Sequence, residues 1–408
     1  MMQDTPKGNR LHIAIFGLRN AGKSSLINAL TNQDIALVSN VPGTTTDPVY
    51  KAMEILPIGP VMLIDTAGID DEGALGELRV ERTKQVMNKA DVAIVVIAAD
   101  TRPGDFEHKL IAELKAKQIP LVGVINKMDI ATPDNERKSK FAQQLGISFL
   151  EVSSLTREGI EELKHTIIRV APDTWEGPSI VGDLLDSGDL AVLVIPIDLA
   201  APKGRLILPQ VQTLRDILDH DAYALVVKER ELRDALDNLP KRPKLVITDS
   251  QAFLKVNADT PPDIKLTSFS ILFARHKGEL ETLVAGAKAI EKLKPGDRVL
   301  IAEGCTHHRQ ADDIGKVQIP RWLRQMVGGE LEFDWVAGSQ YPTELSKYRL
   351  IVHCGACMIN RREMLYRVFQ AKEQGIPIVN YGVLIAHVHG ILHRVLSPFP
   401  LAQMILED

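Results

Sequence analysis

The chain has 408 residues, a formal net charge of -5, 45% hydrophobic and 25% charged residues; this is too long for one ordinary core and matches soluble globular averages rather than a disordered chain. No run approaches the roughly eighteen apolar residues of a membrane span, and the acidic balance with scattered Lys and Arg argues against nucleic acid, which is bound by clustered basic residues. Three cysteines are too few for a disulfide scaffold, and "MMQDTPKGNRLHIAIFG" carries no apolar signal core before a cleavage site, so a reducing cytoplasm is expected, with no membrane and no nucleic-acid partner.

In chain order, "LHIAIFG", "PVMLIDTAG", "DVAIVVIAA", "PLVGVINK" and "SFLEVSS" alternate with helical patterns over residues 1–172. This rhythm predicts a mostly parallel sheet covered by helices. Pro and Gly in "APDTWEGPSIVGD" mark a linker over 173–183. The middle segment, 184–270, alternates strand-like "LAVLVIPID", "AYALVV", "KLVITD" and "IKLTSF" with two helical patterns and carries no readable chemistry; it is expected to make a homodimer. From 271 to 408 the rhythm resumes with "ETLVAGAKAIEKL", "RVLIAEG", "KVQIPRWLRQMVG", "LEFDWV", "YRLIVH", "MLYRVFQAKEQG" and "PIVNYG", giving a second parallel α/β sheet domain. The expectation is thus α/β throughout, in three domains.

"GLRNAGKS" (17–24) follows the first strand and opens a helix. Gly17 and Gly22 let the backbone curl so that N–H groups, including those of Ala21, Gly22, Lys23, Ser24 and Ser25, meet phosphate oxygens at a helix N-terminus. Lys23 adds a point charge at the terminal phosphates and Ser24 a hydroxyl for Mg²⁺. "DTAG" closes a strand with Asp65 for the Mg²⁺ shell and the Gly68 N–H for the γ-phosphate. "NKMD" supplies Asn126 and Lys127 at the base and Asp129, which accepts from guanine N1–H and its amine. "SSL" (Ser153, Ser154, Leu155) adds a backbone donor there. "PGTTTD" (42–47) supplies a switch threonine for Mg²⁺ among Thr44, Thr45 and Thr46, with Thr45 favoured.

The later cysteines are clustered. "VLIAEGCTHH" sets Cys305 and His307 just past one strand, and "LIVHCGAC" sets His353, Cys354 and Cys357 just past another. C-x-H followed at a distance by H-C-x-x-C is a metal-site pattern, and in parallel sheets the loops beyond strand carboxyl ends are where ligands gather. Inert buried cysteines or a redox C-x-x-C would leave the grouping, or Cys305, unexplained. Cys₃His suits structural zinc; three thiolates also suit a 4Fe-4S cluster with one iron left over. The second histidine favours iron.

The N-terminal motifs resemble the translation-factor-type GTPases, closest the bacterial group with "PGTT" switches. That resemblance implies GTP hydrolysis to GDP and phosphate, with Lys23, Asn20 and Thr45 as the catalytic set. Ile69 stands where many GTPases place a water-orienting glutamine, so unaided turnover should be slow. Asn20 matches the residue that helps hold K⁺ in potassium-activated members; loop capping is its other reading. With "CTH" and "HCGAC", the whole chain resembles the HydF family of FeFe-hydrogenase maturation GTPases. This implies a scaffold that binds a 4Fe-4S cluster through Cys305, Cys354 and Cys357, the fourth ligand being His307, His353 or exogenous. It also implies carriage of the di-iron precursor and exchange with radical-SAM maturases and apo FeFe-hydrogenase. The alternative is a ribosome- or RNA-linked GTPase with a zinc-stabilised C-terminal domain.

Overall fold

The structure is a computed structural model that describes residues 5–32, 48–66, 74–131, 135–196, 206–304, 313–338 and 340–407, without the side chains of 74–79 and 135–138. The chain divides into two compact units, Met1–Glu176 and Gly177–Asp408.

In the first unit, β1 (Leu11–Phe16), β2 (Val49–Ile55), β3 (Gly59–Asp65), β4 (Val92–Ala98), β5 (Leu121–Asn126) and β6 (Phe149–Glu151) form one sheet in the order β2-β3-β1-β4-β5-β6. Successive side chains of a strand point to opposite faces, and both faces of β1 are covered. On one side Ile13 and Ile15 join Val92, Ile94 and Val96, packed against Leu26, Ile27 and Leu30 of the helix Lys23–Thr31 and Leu163 and Ile167 of the helix Ile160–Val170. On the other, Ala14 and Phe16 join Ala93, Val95 and Ile97 under Leu110 and Leu114 of the helix Asp105–Ala116. This two-sided burial is why these strands read as unbroken apolar runs. β2 has no such run and does not stand out in the sequence. It pairs antiparallel with β3, placing Lys51 opposite Leu63, and it is an edge strand with Val49 and Tyr50 exposed.

The second unit holds two four-stranded sheets, each parallel throughout. β7 (Leu190–Val194), β8 (Tyr223–Val227), β9 (Leu245–Thr248) and β10 (Lys265–Ser268) run in the order β10-β9-β7-β8; β11 (Arg298–Glu303), β12 (Glu332–Ala337), β13 (Leu350–His353) and β14 (Ile378–Asn380) run in the order β12-β11-β13-β14. The mixed α/β architecture expected from the sequence is the one found, including the parallel sheets beyond the N-terminal unit.

One hydrophobic core runs through both of these sheets, from Val192 and Ile247 to Leu300 and Val352. The helix Phe269–Lys277 packs into it, with Phe269, Ile271, Leu272, Phe273, Ala274 and Lys277 buried and Ser270, Arg275 and His276 partly exposed. Ser268 caps its start by accepting from the Ile271 N–H. At its other end Arg361 donates to the carbonyls of Arg275, His276 and Gly278, the His276 contact at 2.7 Å. Carbonyls at a helix C-terminus have no partner within the helix itself, so the guanidinium closes the helix and ties it to the segment that follows the cysteine loop. His276 in turn bonds the Pro178 carbonyl through Nδ1 at 2.7 Å, and burial pushes its imidazole down to about 4. The neutral ring therefore donates this bond, holding the entry segment of the second unit against the same helix.

Candidate functional site

The phosphate loop forms because β1 must turn abruptly into the helix Lys23–Thr31. Gly17 has φ +152° and a Cβ there would lie 2.4 Å from the Val96 carbonyl oxygen; Gly22, the residue before the helix, has φ +88° and a Cβ would lie 2.3 Å from Asn126 Nδ2. Only glycine fits both constraints. Asn20 adopts a left-handed φ of 61° and is exposed on this loop. Lys23 is buried, and its ammonium donates to the carbonyls of Gly17 at 2.9 Å and Leu18 at 2.8 Å. A buried cation is thus held inside a curl of backbone that begins a helix, which is the arrangement that receives phosphate.

Beside it, Ser24 Oγ donates to Asp65 Oδ2 at 2.6 Å. Burial pushes the Asp65 carboxyl up, opposed by the Ser24 hydrogen bond and by Lys23 and Lys51. A hydroxyl and a desolvated carboxylate meeting at one point form a hard oxygen donor set that fits Mg²⁺, and a divalent charge there would favour the ionised acid. Thr66, next in sequence, pins this corner by donating to the Ile15 carbonyl at 2.6 Å. Thr45 and Gly68, the other residues expected around the γ-phosphate, lie outside the described residues.

At the base end, Asp129 Oδ1 accepts from Ser153 Oγ at 2.6 Å, which orients the carboxylate, and Leu155 stands 80% exposed alongside. Lys127 has a left-handed φ of 66°, re-aiming the chain between Asn126 and Asp129. Asn126 does something the sequence does not suggest. Its Nδ2 donates to the carbonyls of Ala21 (3.2 Å) and Gly22 (3.3 Å), and its Oδ1 accepts from the Ser154 N–H (3.1 Å) and hydroxyl (2.8 Å). All four valences of this buried amide are used, so in this arrangement it ties the phosphate loop to the "SSL" turn.

The cysteine site begins with β11 and β13 lying side by side and parallel, Ala302 opposite His353. The Gly304 N–H reaches across to Cys354 Sγ at 3.1 Å, and the Ala356 N–H approaches the same sulfur at 3.5 Å. Burial pushes the Cys354 thiol up, while these N–H contacts and Arg367 pull it down. Sulfur that receives backbone N–H groups in a half-buried turn suits a thiolate ligand, and such bonds tune the potential of what it holds. Cys357 lies in the same turn, and neither Cys354 nor Cys357 is in a disulfide. Cys305, directly after Gly304, and His307 lie outside the described residues; among the described residues there is no group of three or more His, Cys, Asp or Glu able to hold a metal ion.

His353 is fully buried. Its Nδ1 bonds the Cys354 carbonyl at 2.9 Å and its Nε2 meets Arg367 Nη1 at 3.0 Å. Burial, then the Arg367 charge, push the imidazole down to about 3, so the ring is neutral, donates from Nδ1 and accepts at Nε2. Sequence reasoning does not reach Arg367. Its one signal is Glu363 four residues earlier on the helix Arg361–Glu373, a pair that ordinarily decorates a solvated face.

Three family models match the chain. The model described as "50S ribosome-binding GTPase" matches residues 12–127, "Hydrogen maturase F dimerization domain" matches 180–278 and "Hydrogen maturase F tetramerization domain" matches 281–398. The last two together span more than half of the sequence. The chain belongs to the hydrogen maturase F (HydF) family. Its N-terminal unit is a GTPase that hydrolyses GTP and takes Mg²⁺ with it. Curated relatives of that part include tRNA modification GTPase MnmE of Thermotoga sp. (strain RQ2), 33% identical over 168 residues, 41% of this chain and 37% of the relative. The protein of the same name from Thermoanaerobacter sp. (strain X514) is 37% identical over 158 residues, 38% of this chain and 34% of the relative. The chain therefore spans only about a third of the length of the curated relatives it matches. An Era variant of Aquifex aeolicus bound to GDP.AlF4- shares 19% identity, covering 61% of this chain and 99% of its own at a TM-score of 0.37. The dimerization and tetramerization domains of the HydF family indicate oligomerisation, and among the described residues no helix is long and apolar enough to cross a membrane.

Replacing Asn126 by Ala in this HydF-family GTPase removes the tie between the two nucleotide loops and leaves the Ala21 and Gly22 carbonyls short of a buried donor. At about 1–3 kcal/mol for such a loss, affinity for fluorescent GDP is expected to fall roughly tenfold or more with the fold intact by circular dichroism. Wild-type affinity in that variant would show that the tie does not support binding.

Proposed function

We propose that this chain is a GTP-hydrolysing scaffold that binds a 4Fe-4S cluster through Cys305, Cys354 and Cys357 and assembles or delivers the di-iron precursor of the FeFe-hydrogenase active site. The observation that carries this reading is the 3.1 Å contact between the Gly304 N–H and Cys354 Sγ. It sets the residue before Cys305 against the thiol of a cysteine fifty positions later in the sequence. The cluster, when bound, would supply an iron that the three thiolates leave short of one ligand, a place open to His307, His353 or an exogenous group. The chain supplies the thiolates, the N–H groups that support their charge and a half-buried turn.

The modules in this reading are the GTPase over 1–172, a dimerising middle over 184–270 and the cysteine domain over 271–408. The GTPase biases partner release through its switches, in the cytoplasm, with radical-SAM maturases and apo FeFe-hydrogenase as partners. A homodimer is supported by β8, an edge strand that exposes Tyr223 (63%) and Val226 (43%), the kind of unpaired apolar edge that proteins otherwise cover. Asn20, exposed on the phosphate loop, holds K⁺ where its charge assists the transferring phosphoryl group.

Three measurements test these points. Lys23→Ala should abolish GTP turnover and keep iron and sulfide content after anaerobic reconstitution, whereas Cys354→Ser should do the reverse; a colourless wild type holding stoichiometric zinc would favour the zinc-stabilised alternative and sink the cluster. GTPase rates should be higher in potassium than in sodium buffer, and equal rates would remove the ion from Asn20. Val226→Lys should reduce the mass seen by light scattering, and an unchanged mass would take β8 out of the interface.

A further inference from the structure

Arg367 is 1% exposed and bonded at both ends of its fork. Nη1 lies 3.0 Å from His353 Nε2; Nη2 donates to the Gly338 carbonyl at 2.5 Å and to Glu363 Oε1 at 2.7 Å. Its Cζ stands 5.1 Å over the Tyr341 ring, which adds a favourable face for the cation. Among the described residues its Nε finds no acceptor. The carboxylate that balances this charge sits on the Nη2 side and is partly open to solvent at 16%. The Nη1 side faces inward, toward the histidine that precedes Cys354, so the pair presents its positive end to the cysteine turn.

This geometry excludes an easy role for His353 in ligation. Binding iron through Nε2 would require expelling Arg367 Nη1 and leaving a buried guanidinium with two edges short of acceptors, a costly state for a desolvated charge. Binding through Nδ1 would break the bond to the Cys354 carbonyl that shapes the turn. Histidine ligands of metals normally donate their second nitrogen outward to an acceptor; here the second partner is a donor.

We infer that Arg367 is the positioning residue of the cysteine site: it fixes His353 as a clamp on the turn rather than a ligand, and sets a permanent positive charge beside the Cys354 thiolate. The inference rests on the reading that this cysteine binds iron. Two consequences follow from the physics. The imidazole has a single tautomer, with its proton on Nδ1. A fixed cation near a thiolate-held cluster favours the reduced, more negative state, so removing it should move the midpoint potential to more negative values.

The experiment uses the full chain as wild type, Arg367→Met, Arg367→Lys and His353→Gln. In metal-free protein labelled with ¹⁵N-histidine, nuclear magnetic resonance should show His353 with its proton on Nδ1 and Nε2 accepting a bond; Arg367→Met leaves Nε2 without its donor and should move the Nε2 shift toward that of an unbonded ring nitrogen, whereas Arg367→Lys keeps one donor in reach. A wild-type ring carrying its proton on Nε2 overturns the clamp. After loading with ferrous iron and sulfide under anaerobic conditions, His353→Gln should keep wild-type iron content, Arg367→Met should show a more negative potential, and Arg367→Lys should return it toward wild type. If Arg367→Met does not fold, the wild-type tautomer and the iron content of His353→Gln still test the clamp. Loss of a nitrogen hyperfine coupling in His353→Gln would make His353 a ligand and overturn the proposal, as would an unchanged potential in Arg367→Met. A wild type that takes up no iron removes the iron-sulfur reading alone, and the tautomer then decides the clamp.

Discussion

Parallel pairing of β11 with β13 is the constraint on which the cysteine chemistry depends. Two strands that run the same way release their following loops at the same edge, and the register that sets Ala302 beside His353 also sets the Gly304 N–H against Cys354. No local signal could bring those positions together, because nearly fifty residues, including β12, lie between them. The nucleotide site obeys the same geometry. Asp65 ends β3 and Asn126 ends β5, while the phosphate loop follows β1, so each functional loop leaves the carboxyl end of strands that run parallel to one another.

Both sites also share an electrostatic logic. Asp65 and Cys354 are each disfavoured as anions by burial, and each is met by donors that support the charge: Ser24, Lys23 and Lys51 for the acid, two backbone N–H groups and Arg367 for the thiol. Groups poised in this way respond strongly to a cation, because the interior amplifies whatever charge is placed beside them.

Much of this is legible in the sequence, for reasons that differ between the sites. The phosphate loop is readable because the backbone at Gly17 and Gly22 admits no other residue, so the motif is written by steric necessity. The apolar runs betray strands buried on both faces. β2 escapes notice because its residues are mostly exposed or half-exposed at the sheet edge. Asn126 is legible as a functional residue but not as a tie, since its partners come from one loop more than 100 residues upstream and another 28 residues downstream. Arg367 is illegible: an Arg four residues after a Glu on a helix looks solvated, and only the fold shows it buried against His353 at the end of β13.

The helix Phe269–Lys277 carries a last implication. The hydrogen maturase F dimerization segment ends at residue 278 and the tetramerization segment starts at 281, yet the core passes through that border without a break, and Asn380 reaches back to the Ser270 carbonyl at 2.9 Å. What is a seam in the linear chain is therefore a weld in space. Separating the two segments would expose the matching half of that shared interior, so mechanically they act as one piece.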